Sequence, residues 1–112
     1  MSGTFYFDPD GKGLTVFLGR TEARLMELTW KHGPLTVKKA LFLWQPAPKP
    51  AYTTVMTILS KLADKGLLHR SKDDRSFVYS PTFDRAGFLL DRVSRVTTCL
   101  KTNFPDFVKA AK

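Results

Sequence analysis

Cysteine is nearly absent: Cys99 is the single thiol in 112 residues. One thiol cannot close an intrachain disulfide or assemble a cysteine-rich metal site, so nothing demands an oxidising compartment. Long apolar runs are missing too, with none near the roughly 18 residues that would suggest a membrane span. Met1 to Phe7 lack the basic segment, apolar core and cleavage site of an export signal. These absences predict a cytoplasmic protein with no membrane partner. Catalytic signatures are equally scarce. No nucleophile neighbours a base, no glycine loop is built to cradle phosphate, and Asp73 and Asp74 are adjacent in a turn rather than paired across a cleft. His32 and His69 lie far apart with no carboxylate or cysteine at ligand spacing. The expectation is a protein that is not an enzyme and has no metal or other cofactor.

Acidic residues are the next shortage. Ten Asp and Glu face 18 Lys and Arg, a formal charge of +8 and a pI near 9.9, which favours an anionic partner. From Lys31 to Arg75 nine basic side chains meet three acidic ones, so most of the excess sits in one segment. With 43% apolar and 25% charged residues the chain has the composition of a folded protein, and its length suits one domain with a short appendage.

Phe5, Tyr6 and Phe7, the turn signal Asp8-Pro9-Asp10-Gly11 and the apolar run Leu14 to Leu18 predict a small hairpin or packed arm over residues 1–18. A helix follows from Thr21, its expected cap, to His32, carrying Ala23, Leu25, Met26, Leu28 and Trp30 before Gly33-Pro34. Thr36 can cap a second helix, where Val37, Ala40, Leu41 and Trp44 recur on one stripe. The prolines of residues 45–50 end it. A third helix from Tyr52 to Lys65 turns Val55, Ile58, Leu59 and Leu62 inward and stops at Gly66. Leu67 to Ser71 and Phe77 to Ser80 read as two strands joined by the charged tip 72–76. Pro81 ends the second strand. A last helix starts near Asp84, carries Leu89, Val93, Val96 and Leu100, and is interrupted at Asn103-Phe104-Pro105, with Phe107 and Val108 in a final turn. Trp30, Trp44 and Cys99 are expected to be packing residues.

Helix, helix, helix, hairpin is the plan of the winged helix-turn-helix, an α+β fold that is mostly α. The expected organisation is an arm at 1–18, a DNA-binding domain at 19–83 and a C-terminal dimerisation helix region at 84–112. The outward face of the third helix carries Thr53, Thr57, Ser60, Lys61 and Asp64, with Thr54 at its flank. Hydroxyls can exchange hydrogen bonds with base edges, threonine methyls can meet a thymine methyl, and Lys61 can reach phosphate. Lys38 and Lys39 either contact phosphate or solvate the second helix; Lys72 and Arg75 stand at the wing tip. The stripe Leu89, Val93, Val96 and Leu100 either folds back on its own domain or meets a second copy; a helix after the wing has little core left to cover, which favours a homodimer. A protein-interaction module presenting this basic face to an acidic protein is the alternative; hot-spot chemistry, rich in Trp, Tyr and Arg, argues against it on a hydroxyl-rich helix.

The run from Ala51 to Leu62, Lys65-Gly66-Leu67-Leu68, and Arg75-Ser76-Phe77-Val78-Tyr79-Ser80-Pro81 resemble the signature of the BlaI/MecI/CopY penicillinase-repressor family. Glu22 to Glu27 with Trp30, and Pro34-Leu35-Thr36-Val37, are similar to that family's first two helices. The resemblance covers about Leu18 to Asp84. It implies a repressor that binds a double-stranded dyad operator as a homodimer held by its C-terminal helices. It further implies that Thr54 and Thr57 face bases, that Thr53, Ser60 and Lys61 lie close to DNA, and that Arg75 touches phosphate. The antibiotic-sensing branch is released by cleavage at an asparagine-phenylalanine bond; Asn103-Phe104 is either the matching dipeptide or a chance pair, with Pro105 immediately after it to hinder many proteases. That branch has a longer C-terminal region, and the copper-sensing branch has a terminal cysteine cluster where Cys99 stands alone, so the resemblance leaves the inducing signal open.

Overall fold

The computed structural model describes residues 6–45 and 47–106. In chain order the elements are a 3₁₀ turn at Gly13–Val16, α1 at Arg20–His32, α2 at Val37–Leu43, α3 at Tyr52–Asp64, β1 at Leu68–Asp73, β2 at Ser76–Pro81 and α4 at Arg85–Asn103.

The first 18 residues form no hairpin within the described part. Asp8 N–H donates to the Val16 carbonyl at 2.7 Å, and the 3₁₀ turn delivers Leu14 and Leu18 into the core. Phe5 lies outside the described residues. α1 begins one residue earlier than expected, because Gly19 rather than Thr21 is its cap. Gly19 N–H donates to Glu22 Oε1 at 3.0 Å and its carbonyl receives Ala23 N–H at 2.8 Å, which puts Thr21 inside the first turn. Thr36 does cap α2, its hydroxyl accepting from Lys39 N–H at 3.1 Å. Trp44 is the residue just after α2 rather than part of it, with its indole buried.

α3 ends at Asp64 and is closed by two backbone bonds. Leu67 N–H reaches the Leu62 carbonyl and Gly66 N–H the Ala63 carbonyl, both at 3.0 Å, with Gly66 at φ 82°. This is a Schellman closure, which needs a left-handed residue where glycine carries no Cβ penalty.

The two strands pair antiparallel from Leu68↔Pro81 to Asp73↔Ser76, so the wing is longer and its tip tighter than the sequence predicts. Only Asp74 and Arg75 form the turn, and Asp74 takes φ 58°, a conformation aspartate tolerates. Lys72 therefore sits in β1 opposite Phe77, and Pro81 is the last paired residue of β2. Leu35 adds a bridge on the other side of the wing, exchanging hydrogen bonds of 2.9 and 2.8 Å with Tyr79.

The core is one cluster. Leu25 and Met26 of α1, Ala40 of α2, and Val55, Leu59 and Leu62 of α3 meet Leu35, Leu67, Leu68 and Tyr79, all nearly inaccessible. α4 is capped by Asp84, which accepts from Gly87 N–H at 2.7 Å. The sequence predicts little core left for this helix to cover, yet its first turn covers some: Phe88 is buried against Trp30, ring centroids 5.7 Å apart, and Leu89 packs on the same cluster. Beyond that turn α4 runs outward, and Cys99 is exposed rather than a buried filler. The helix stops at Asn103, as the sequence predicts; Phe104 N–H closes it onto the Leu100 carbonyl at 2.7 Å. Phe107 and Val108 lie outside the described residues.

Candidate nucleic-acid interface

α3 has two chemically distinct sides. Val55, Leu59 and Leu62 are fully inaccessible, while Thr53, Thr54, Thr57 and Lys61 are exposed. A helix with 3.6 residues per turn brings Thr53, Thr57 and Lys61 onto one line, with Thr54 beside it. Ser60 is different in kind: it is half-buried and its hydroxyl shares a 3.4 Å hydrogen bond with the Tyr79 hydroxyl, joining α3 to the wing.

Around this face the cations spread over three elements. Lys38 and Lys39 are exposed on α2, and Lys39 Nζ donates to the Pro34 carbonyl at 3.4 Å. Arg75 occupies the wing turn, Lys72 the adjoining strand, and Arg70 stacks on the Phe77 ring at 5.0 Å. Among the described residues Lys38, Lys39, Lys61, Lys72 and Arg75 have no carboxylate within ion-pair distance. The exposed cations near α3 are thus left to attract an outside anion.

α3 is held by a part-buried ion pair that the sequence reading did not single out. Lys65 Nζ lies 2.9 Å from Glu22 Oε2, tying the end of α3 to the start of α1. Burial pushes the Glu22 carboxyl upward. The hydrogen bonds from Lys65 and Gly19 N–H, with the charges of Lys65 and Lys61, outweigh that and hold it below the ordinary glutamate value.

On α4 the stripe expected from spacing divides. Leu89 and Val96 are half-buried, Val93 and Leu100 exposed. The structure adds Leu90, 71% exposed, and Phe104, 57% exposed, so Leu90, Val93, Leu100 and Phe104 share one uncovered side. Leu89 and Leu90 are tandem, and spacing alone could not tell which one the core would claim. Tyr52, Met56 and Phe77, which no local spacing marks as functional, are each a large apolar side chain left 44–49% exposed beside the hydroxyl face. Asn103 and Phe104 are exposed at the end of α4, where Asn103 Nδ2 donates to the Cys99 carbonyl at 2.8 Å. Among the described residues no group of three or more His, Cys, Asp or Glu is placed to hold a metal, and no helix is long and apolar enough to cross a membrane.

Three helices, a wing hydrogen-bonded to Leu35 and a helix leading away from the wing define a winged helix-turn-helix protein. Within that class the chain belongs to the penicillinase repressor family, whose profile matches residues 18–111; that family is one of repressors, not of enzymes. It is 35% identical over 83 residues to the transcriptional regulator BlaI of Mycobacterium tuberculosis, a match covering 70% of this chain and 60% of that protein. To the penicillinase repressor of Bacillus licheniformis it is 28% identical over 68 residues, covering 61% of this chain and 53% of the relative. The chain thus matches little more than half the length of these curated relatives. Its fold is similar to the solution structure of the DNA binding domain of the repressor BlaI, with a TM-score of 0.54 at 28% identity over 62% of this chain and 84% of that one.

Proposed function

We propose that this protein is a sequence-specific transcriptional repressor that binds a dyad operator as a homodimer. The observation that carries the reading is the division of α3: one side is locked into the core and the other offers Thr53, Thr54, Thr57 and Lys61 to solvent. A helix so presented suits a major groove about 12 Å wide. Small hydroxyl side chains let it approach base edges, and Lys38, Lys39, Lys72 and Arg75 supply the phosphate contacts that fix its register.

Dimerisation follows from α4. Leu90, Val93, Leu100 and Phe104 form an apolar side too exposed to be explained by the monomer. Pairing it with a second copy would hold two α3 helices about 34 Å apart, one helical turn of duplex. Such a dimer over a promoter, in the cytoplasm, obstructs polymerase.

The test is binding to the duplex upstream of the protein's own gene, measured by mobility shift across a salt series. Thr57→Ala should reduce preference for operator by about 1–3 kcal/mol and leave random-sequence binding intact. Arg75→Ala should weaken both and lower the salt slope by about 1. Equal losses on operator and random DNA for Thr57→Ala would remove the base-reading role.

A further inference from the structure

Between α3 and the wing lies a notch of about 210 Å³ whose apolar walls have no part in the contacts proposed so far. Its walls are Tyr52 and Met56, one helical turn apart on α3, with Phe77 and Tyr79 of β2; Lys38 and Arg75 also line it, from α2 and the wing turn. Tyr52, Met56 and Phe77 are each left 44–49% exposed, and no carboxylate lines the notch. An apolar floor with cations beside it matches a ligand that is apolar in one part and anionic in another. The volume is below the roughly 300–1,000 Å³ usual for small-molecule sites.

We infer that this notch seats one deoxyribose-phosphate unit of the duplex, the sugar against Tyr52, Met56 and Phe77 and its phosphates on Lys38 and Arg75. The inference rests on the proposed DNA-binding role. With α3 in a major groove and the wing reaching past it, what passes between them is the backbone ridge separating the two grooves. Base edges lie on the hydroxyl side of α3, away from the notch. The apolar walls therefore set the docking angle of α3, and Met56, on its flank, is a positioning residue for Thr53 and Thr57.

The experiment takes the tightest-binding duplex recovered from a random-sequence pool and places a single 2′-O-methyl group at successive sugars. The penalty is the ratio of modified to unmodified affinity for the same protein, so any general loss in a variant cancels. Wild type should show one backbone position per half-site with a penalty of about tenfold, the scale of overpacking a filled site. Met56→Ala makes room and should cut that penalty to under about threefold at the same position, whereas Met56→Leu should preserve it. Thermal melts confirm that both variants fold. A flat profile, or a penalty that Met56→Ala does not relieve, overturns the inference while leaving DNA binding intact. Failure of wild type to bind any unmodified duplex overturns the functional reading and this inference together.

Discussion

Glu22 does two jobs with one carboxylate. One oxygen accepts Gly19 N–H and starts α1; the other holds Lys65 at the end of α3. Because both partners are largely screened from water, with side chains 22% and 15% exposed, the pair is stronger than an ordinary surface bridge. Glu22→Gln should destabilise the fold by on the order of 1 kcal/mol at neutral pH. The sign with pH is fixed by the direction of the shift. The folded carboxyl titrates below its unfolded value, so its stabilisation is complete above the unfolded value and disappears as pH falls through the folded one. Urea midpoints for wild type and variant should therefore converge in acid. A difference that stays constant down to low pH would show that the charge is irrelevant.

Among elements, α3 depends most on how it ends. Gly66 sits at φ 82°, and the two bonds of the Schellman closure turn the chain so that Leu67 and Leu68 enter the core and β1 begins. A methyl at Gly66 would meet nothing within 4 Å, so the cost of Gly66→Ala is conformational rather than steric crowding. It should come to about 1–2 kcal/mol, the price of a left-handed non-glycine residue. Thermal unfolding checks this. Because the same turn aims the wing, the variant should also lose DNA affinity at temperatures where it remains folded. The wing is a further case of an element made by its neighbours. β1 is exposed beyond Leu68, and the buried Leu68 and Tyr79, the Leu35 bridge and the Tyr79 to Ser60 contact anchor the hairpin to the body.

At the scale of the whole molecule the long dimension is 54 Å against 28 and 22 Å, and α4 leaves the core after Phe88 and Leu89. Nineteen residues of helix span about 28 Å at 1.5 Å each, enough to carry the proposed dimer interface away from the proposed DNA-reading face. If the proposed homodimer forms through this side of α4, Leu90→Asp with Leu100→Asp should leave a monomer, because two charges would be buried in an apolar seam. Light scattering reads the mass. Operator affinity should fall by at least about a hundredfold, since the second half-site no longer benefits from being tethered. Each protomer should keep its thermal stability, both residues being exposed in the monomer. A dimer that survives both substitutions would place the interface elsewhere.

The order of elements, the inward side of α3, the Thr36 cap, the start of the last helix near Asp84 and the stop at Gly66 were legible in the sequence. Each depends on neighbours within a turn or two, where periodicity and backbone preference decide. The hydroxyl face was legible for the same reason: once Val55, Leu59 and Leu62 point inward, Thr53 and Thr57 cannot. What the tertiary structure decided involves partners distant in the chain. Leu35 pairing with Tyr79, Lys65 meeting Glu22, Ser60 turning to Tyr79, Leu89 joining the core while Leu90 stays out, and the notch between α3 and the wing all depend on packing. Local pattern tells a residue which side of its own helix it occupies. Only the folded chain tells it which other element waits there.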